Sequence, residues 1–497
     1  MRVNTQALRL VVSALPFAVM ASACVEDSSS ANPAGTVDAG LPDSAVTTGT
    51  ADGGADATSP DGGKVLAPCA APTGPGTEHK ADITADETWT AAASPHKVTV
   101  NVRITANVTV EPCATVTFAE GVGLTIGNTP NIAGAVIARG ERGVDGAGAV
   151  LRRGITFAAA DPLKPWRGLT VDVTSKVDLE TVTLSDGANP SSDQNGGGVI
   201  LAYGQSVGAT LPPVTKNVRA VDVTVKASRG HAFNFQRTSG FSDDSTDVVV
   251  TDSGRADTPF PIRLEPGAVS TLPKVQFTGN VSNEVVIAAG NTAMLDDTLK
   301  ARGVPYRMAG RLRVAPYVDG AAVKLTIEPG VTVRFDHPGD SGLQIGTSPQ
   351  RQGVIVAEGT AAAPIVFTSA KSPPAAGDWR NLYFSYTPST GNRVAHATFE
   401  YAGAPSGAQG FGCGPIENDA TILILSGRPD DAFIQNTTIK DGAGDTGILL
   451  GWDSDMTGPD FLSTNSFVNA PACKVSRWRN ATGNFCPGSV AGSPVCF

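Results

Sequence analysis

The sequence predicts an all-β chain that folds as a solenoid built from two duplicated modules. Three observations support this: one passage occurs twice, short apolar runs come in threes between turn residues, and no stretch keeps a helical period. The passage at residues 110–118 returns at residues 327–335, and later segments return in the same order. The matched segments are 123–127 with 342–346, 136–140 with 355–359, 155–157 with 365–367, 166–171 with 379–384, and 181–184 with 398–401. A feature in both copies should be architectural, so a feature in one copy is a candidate for function.

Residues 1–23 are predicted to form a signal peptide that is removed from the mature chain. An apolar stretch over residues 10–20 is too short to span a bilayer. Small residues then precede Cys24, an arrangement that resembles the lipobox of bacterial lipoproteins. The resemblance implies lipidation of Cys24 and, because Val25 follows instead of aspartate, an outer-membrane or cell-surface lipoprotein. A secreted or periplasmic chain, cut by an ordinary signal peptidase, is the alternative.

Residues 24–66 consist almost wholly of Ala, Gly, Ser, Thr, Asp and Pro. Such a composition cannot bury enough apolar surface to offset the entropy of ordering, so it predicts a disordered linker. The folded part should follow as two β-helix modules. The first, over residues 67–285, would begin with an N-terminal cap, and the second, over residues 286–497, would end in a cap pinned by disulfides.

The chain is acidic, with 37 basic and 47 acidic residues and a net charge of −10. Contacts to nucleic-acid phosphates need clustered lysine and arginine, so we expect no nucleic-acid partner. We consider a polysaccharide or a surface protein as the partner, although the same balance weakly disfavours an anionic polymer unless a metal or a local basic groove mediates the contact. The membrane contact we expect is made through the lipid on Cys24 alone.

Seven cysteines occur in the chain. If Cys24 is lipidated, an even number remains, which in an exported protein indicates disulfides. No CxxC pair or histidine cluster accompanies them, so we expect no metal site. Other connectivities stay open, but proximity along the sequence favours the pairs Cys69–Cys113, Cys413–Cys473 and Cys486–Cys496.

The recurring local pattern is a strand, a small polar corner and another strand. Alternation on both sides of the Pro329–Gly330 corner places apolar residues on one face. Segments 222–235 and 436–450 repeat the pattern. Together they resemble the right-handed parallel β-helix of the pectin-lyase-like superfamily over most of residues 80–497. The resemblance implies the fold and is almost silent on activity.

The duplication separates the tryptophans into two groups. Trp166 and Trp379 are matched between the copies, so we expect both to pack in the structure. Trp452 occurs in one copy and, with Asp453 and Asp455, is a candidate for ligand contact through sugar stacking or calcium binding. The loop lacks the later acidic ligands of an EF-hand, so calcium is the one cofactor we consider, and we expect no other.

Arg229 and His231 lie together at a corner and are the catalytic candidates that we single out, since imidazole transfers protons near neutral pH. Enzymes of the families that this chain resembles use carboxylates around calcium with a basic residue, or close aspartates on neighbouring coils. Neither of those motifs occurs in this sequence.

The sequence therefore favours a non-catalytic cell-surface β-helix that makes a binding, structural or adhesive contact with glycan or protein. The alternative is a carbohydrate-active enzyme, either a polysaccharide lyase or a glycoside hydrolase, with its site in a groove on the β-helix. An enzyme would bring two or three carboxylates, or carboxylates with arginine or lysine, together on one face.

Overall fold

A computed structural model describes residues 64–128, 131–188, 197–206, 212–288, 290, 292–293, 295–336, 341–386, 390–405, 419–444, 446–451, 459–471, 473–477 and 495–496. The predicted signal peptide, Cys24 and most of the predicted linker lie outside these residues. The described residues belong to one compact unit, residues 62–497. Apart from a single 3-10 turn at Val269–Thr271, the regular structure in these ranges is β-strand.

The strands up to residue 287 are β1 (Thr77–His79), β2 (Glu87–Trp89), β3 (His96–Val98), β4 (Val102–Ile104), β5 (Asn107–Val110), β6 (Thr115–Phe118), β7 (Gly123–Ile126), β8 (Ala135–Arg139), β9 (Glu141–Val144), β10 (Val150–Arg153), β11 (Ile155–Ala159), β12 (Gly168–Val171), β13 (Lys176–Ser185), β14 (Ile200–Tyr203), β15 (Thr215–Lys226), β16 (Phe233–Gln236), β17 (Ser239–Phe241), β18 (Thr246–Thr251), β19 (Ile262–Leu264), β20 (Val275–Thr278) and β21 (Val285–Ile287).

The later strands are β22 (Thr292–Ala293), β23 (Asp297–Leu299), β24 (Tyr306–Met308), β25 (Arg311–Val314), β26 (Val323–Ile327), β27 (Thr332–Phe335), β28 (Gly342–Ile345), β29 (Gly353–Glu358), β30 (Ile365–Ser369), β31 (Leu382–Phe384), β32 (Arg393–Ala395), β33 (Ala397–Glu400), β34 (Ala420–Leu425), β35 (Ile434–Gln435), β36 (Thr438–Lys440), β37 (Thr446–Gly451), β38 (Ser466–Val468), β39 (Cys473–Arg477) and β40 (Val495–Cys496).

Strands of successive turns of the chain pair in parallel, which makes the fold a parallel β-helix as predicted. A 13-stranded sheet from β4 to β38 forms one face along the whole described solenoid. A 12-stranded sheet covers the other faces of the first half, because β13 pairs with β8 through one part and with β11 through the other. Sheets of eight and five strands take over in the second half. Pairing of β19, β21 and β24 runs across residue 285, so the solenoid continues through the predicted module boundary.

Alternation along each strand builds the core. In β27, Val333 and Phe335 are buried, and Thr332 and Arg334 are turned outward. Parallel pairing in register places like residues above one another, and burial of each large apolar side chain contributes about 1.5–3 kcal/mol. One such stack brings the rings of Phe367 and Phe399 to 4.5 Å between centroids.

Corner residues also stack in columns with left-handed backbone. Asp186, Ala227, Asp252 and Gly279 follow paired residues on four successive coils and have φ of 58°, 54°, 52° and 69°. This conformation is costly for most L-residues and least so for Gly, Asn and Asp. The Asp, Asn and Gly residues between the apolar runs are therefore corner residues.

The two copies of the repeated passage lie on different faces. β6 carries the first copy and belongs to the 12-stranded sheet, whereas β27 carries the second and belongs to the 13-stranded sheet. The strand after β6 is β7, and the sheet order β7–β12–β14–β16–β19–β21–β24–β27 reaches β27 in seven steps. The second copy thus lies seven coils further along the solenoid and is rotated by one face. Equivalent surface positions of the two copies therefore do not line up on the same face.

The pairing registers correct one segment of the alignment between the copies. Val182 and Ala397 occupy equivalent places opposite the first residues of β11 and β30. The preceding residues, Thr181 and His396, share a left-handed backbone with φ of 51° and 48°. Matching Thr181 to Thr398 was therefore wrong by two residues. A two-residue shift keeps every side chain on the same face, so the apolar pattern could not reveal it.

A disulfide joins Cys69 to Cys113, with 5.5 Å between the Cα atoms, which is the pair that sequence proximity favours. Cys113 has a φ of 71° and its equivalent, Gly330, a φ of 82°, so both hold the same left-handed turn position. Cys473 is disulfide-bonded as well. Cys413 and Cys486 lie outside the described residues, and the pairings Cys413–Cys473 and Cys486–Cys496 stay predictions.

No helix in the described ranges is long and apolar enough to cross a membrane.

Candidate functional site

The described structure shows no hydrogen bond between the side chains of Arg229 and His231, the two predicted catalytic candidates. His231 is 5% exposed, and its Nδ1 donates to the Phe260 carbonyl oxygen at 2.7 Å. Burial lowers the pKa of His231 to about 4, and the nearby charge of Arg263 also acts in this direction, so the ring is neutral near pH 7. Arg229 is exposed. A buried neutral histidine without access to solvent is poorly placed to transfer protons to a substrate.

The predicted ligand residues Trp452, Asp453 and Asp455 lie outside the described residues, and their role stays a prediction. Trp166 and Trp379 have 0% exposure, which confirms that both are packed in the core. Across the described ranges, no group of three or more His, Cys, Asp or Glu side chains is arranged to hold a metal ion.

A ladder of ion pairs crosses the outer surface of the 12-stranded sheet. On β13, Asp178 accepts hydrogen bonds from Arg139 Nε at 3.1 Å and from Arg219 Nη1 at 3.0 Å. Arg219 also donates to Glu180 Oε2 at 2.9 Å and to Asp244 through Nε. These five residues are called the charged ladder. Its charges alternate from coil to coil along the solenoid.

The parallel register explains why the ladder forms. Asp178 lies opposite Arg219 on the next coil, and Glu180 lies opposite Arg139 on the preceding one. Neighbouring strands are about 4.8 Å apart, so like charges in one column would repel, and alternating signs attract. A hydrogen bond to Asp178 raises the pKa of Arg139. Burial acts to lower the pKa of Arg219, but hydrogen bonds to the carboxylates raise it above its usual value.

A second cluster continues the ladder at the adjoining corner. Asp222 pairs with Arg142 Nη2 at 2.6 Å and with Arg152 Nε at 3.3 Å, both of which lie on the β9–β10 hairpin. The side chains of Arg142 and Arg152 are 46% and 59% exposed, against 17% for Asp222. Arg139, at 55%, similarly lies outside Asp178, at 11%. At Asp178 and Asp222 a partner therefore meets guanidinium groups before it meets the carboxylates, whereas Asp244, at 61%, is more exposed than Arg219, at 22%.

The charged ladder is present in one copy only. The copies place different side chains at the same register positions, and two of the three positions reverse their charge. The equivalents are Glu358 for Arg139, Ala395 for Glu180 and Arg393 for Asp178. A feature that both copies need for folding would occur in both. Because this surface occurs in one copy, it is a candidate for function.

A second network lies on the 13-stranded sheet. Glu284, whose side chain is 6% exposed, accepts hydrogen bonds from Arg307 Nε and Arg334 Nη1, both at 2.7 Å. The Arg307 guanidinium lies over the Phe260 ring, 5.5 Å from its centroid, and its Nη1 is 3.7 Å from Asp336 Oδ2. These residues are called the Glu284 network. It is the combination of carboxylates and arginines on neighbouring coils that an enzyme on this fold would need.

In the charged ladder and in the Glu284 network, carboxylates accept hydrogen bonds from guanidinium groups. In Asp178 and Glu284 each carboxylate oxygen already accepts from an arginine, so a substrate proton would have to compete with these hydrogen bonds. Exposed guanidinium groups are, by contrast, good donors to carboxylates and other planar anions of a partner. The geometry of the charged ladder therefore suits recognition better than proton transfer.

Sequence reasoning missed both clusters. Their members lie on adjacent coils of unequal length: Asp178 lies 39 residues from Arg139, whereas Glu284 lies 23 from Arg307. The reversed charges at residues 139 and 358, within matched passages, were the one available signal.

Comparison with known proteins supports the fold. Residues 291–411 match the family model described as a pectate-lyase like beta helix domain. This region spans β22 to β33 and therefore holds the second copy of the repeat. No curated protein and no solved structure matches the chain. The chain thus carries a pectate-lyase-like β-helix domain, and the charged ladder lies in the part of the solenoid that precedes it.

Proposed function

We propose that this chain is a non-catalytic β-helix that binds a glycan or a protein at the cell surface. The observation that carries the proposal is the charged ladder together with the adjoining Asp222 cluster. This surface occurs in one copy, has its carboxylates already paired, and exposes the guanidinium groups of Arg139, Arg142 and Arg152. Arginine recognises carboxylate and similar planar anions through paired hydrogen bonds. We therefore place the contact on the surface of Arg139, Arg142 and Arg152.

Binding is tested by neutralising two exposed arginines. The double variant Arg139→Gln/Arg152→Gln should weaken binding to an acidic-glycan array or to intact cells by at least about tenfold, which corresponds to about 1.4 kcal/mol. The matched control is Arg351→Gln/Arg393→Gln. Those side chains are 43% and 44% exposed and pair with single carboxylates in the second copy. Equal binding by the two double variants would reject this surface.

The proposed location is the outer membrane or the cell surface, with lipidated Cys24 as the anchor and residues 24–63 as the tether. The residues that resemble a lipobox support this part of the proposal. Cys24→Ala should release the protein from the membrane fraction and from the detergent phase on phase separation. Membrane association unchanged by the substitution would reject lipidation of Cys24 as the anchor, and a wild type absent from the membrane fraction would leave the secreted or periplasmic alternative.

The second candidate function is a polysaccharide lyase or glycoside hydrolase, and the Glu284 network favours it. Its test is incubation of the full chain with a polysaccharide panel, with and without calcium. Unsaturated or reducing ends released by the wild type, and not by Glu284→Gln, would overturn the non-catalytic proposal. An inactive wild type that still binds the panel would support it.

A further inference from the structure

The β9–β10 hairpin is an insertion that only the first copy contains. Gly140 and Ile155 flank it, whereas their equivalents Gly359 and Ile365 are joined by a short turn. An inserted element in one copy calls for its own explanation. The structure supplies one, because the hairpin receives the first described residues of the chain.

Residues 64–66, expected at the end of the linker, are part of the fold. Val65 forms a parallel bridge with Val144 of β9, the Leu66 N–H donates to the Val144 carbonyl at 2.7 Å, and the Val144 N–H donates to the Lys64 carbonyl at 3.0 Å. Lys64 also forms an ion pair with Glu141. Leu66 is only 4% exposed, so this segment is packed as well as paired.

Gly143 shows that the hairpin is shaped for this segment. A Cβ atom at residue 143 would lie 2.1 Å from the Lys64 carbonyl oxygen and 2.8 Å from Leu66 Cγ. Only glycine permits such an approach of two backbones. Any larger residue would push the N-terminal segment off the hairpin.

The hairpin and the disulfide form one structure. Arg153 of β10 donates to Glu141 at 2.7 Å and to Cys113 Sγ at 3.3 Å, so it connects the N-terminal segment, the hairpin and the Cys69–Cys113 bond. We call residues 64–69, the hairpin and Cys113 the clasp. Its disulfide spans 44 residues of sequence.

Those intervening residues contain β1 to β5, the first strands of the solenoid. β1 pairs with β3 through three residues and with no strand on its other side among the described residues. Terminal strands of a solenoid contact one neighbour only, so a pull on them separates them one after another. Detachment of β2 would uncover Trp89, which is 1% exposed.

We infer that the clasp carries tension past the first coils. A pull that arrives along the linker is taken up first by residues 64–66 on the hairpin. If these residues detach, the force passes from Cys69 through the disulfide to Cys113, just before β6, and in both cases β1 to β5 stay outside its path. The inference rests on the proposed surface attachment only for the source of the pull. Reduction of the disulfide moves the same force onto β1 and makes the N-terminal cap the first part to unfold.

Single-molecule force spectroscopy on the full chain, held by handles at residue 25 and at the C-terminus, tests this. The comparison is the wild type against Cys69→Ser/Cys113→Gly, in which glycine is the residue found at the equivalent turn position. The variant should show an added early event that lengthens the chain by about 150 Å, the extended length of the residues that the disulfide encloses. The oxidised wild type should lack it.

Two further measurements keep the test decisive. If the variant does not fold, reduction of the folded wild type under tension should produce the same early event. Gly143→Ala should loosen residues 64–66 but leave the disulfide, so it should not show the added length. The inference is overturned if the oxidised wild type lengthens early, or if the reduced chain does not. No membrane is used, so this result is independent of the Cys24 fractionation result.

Discussion

Trp166 stacks on Phe118, with ring centroids 4.2 Å apart and planes 11° apart. In the second copy Trp379 stacks on Phe335 at the same distance. Each indole donates its N–H to a backbone carbonyl one coil away, Trp166 to Ser185 at 2.7 Å and Trp379 to Glu400 at 2.8 Å. The repeated passage is therefore a packing unit in which an aromatic pair closes a corner between coils.

Trp379→Ala should destabilise the chain by about 3–5 kcal/mol, because it removes a fully buried indole and leaves a cavity. Trp379→Phe should cost less, since it keeps the stack on Phe335 and loses mainly the hydrogen bond. The free energy of unfolding from urea titration measures both. A loss below about 1 kcal/mol for the alanine variant would contradict the packing role.

Asp178 and Arg139 should differ strongly in their effect on stability. Asp178→Asn leaves two guanidinium groups without their shared carboxylate at a site that is 11% exposed, and we expect a loss of about 1–3 kcal/mol. Arg139→Gln acts at a side chain that is 55% exposed, where an ion pair contributes at most about 1 kcal/mol. Urea denaturation at low and high salt compares them. Equal losses would show that the charged ladder does not depend on its central carboxylate.

The fold was predictable because its signals are local. Alternation along β26 and β27, the corner at Pro329–Gly330 and the repeated Trp each report on a few adjacent residues. The charged ladder was not predictable, because its contacts depend on how many residues each coil inserts. Val285 and Tyr306 pair across 21 residues, whereas Leu124 and Leu169 pair across 45, and the hairpin accounts for only part of that difference, since Leu343 and Leu382 pair across 39 without one. The face on which each copy lies depends on the lengths of all the coils between the two copies, added together.

His231 should make folding sensitive to acid. Its folded pKa of about 4 lies below the ordinary value of 6.5, so the unfolded chain binds the proton more readily. Its contribution is therefore present above pH 6.5 and is lost as the pH falls towards 4, by about 3 kcal/mol in total. His231→Gln keeps an N–H donor for the Phe260 carbonyl and does not titrate. The difference in unfolding free energy between the two proteins should shrink across this range, and a constant difference would reject the role.

The N-terminal cap should be acid-sensitive through His79, whose ring is hydrogen-bonded to that of His96. His96 Nε2 lies 2.9 Å from the Thr90 carbonyl oxygen and so carries a proton, which leaves Nδ1 to accept from His79 Nε2 at 3.0 Å. In this arrangement His79 Nδ1 is the ring nitrogen that is left without a proton and without a ring partner. It lies 3.7 Å from Glu87 Oε1, and it is where the next proton binds.

Burial lowers the pKa of His79, with Glu87 opposing the shift and His96 adding to it. The stabilisation is therefore present above pH 6.5 and is lost as the pH falls below that value. Hydrogen-exchange protection of β1 to β3 should fall between pH 7 and pH 5, while protection of β28 to β31 stays constant. His79→Gln retains a donor to His96 without titrating, so its cap should keep most of its protection at pH 5. Loss of protection in this variant equal to that of the wild type would place the acid sensitivity elsewhere in the cap.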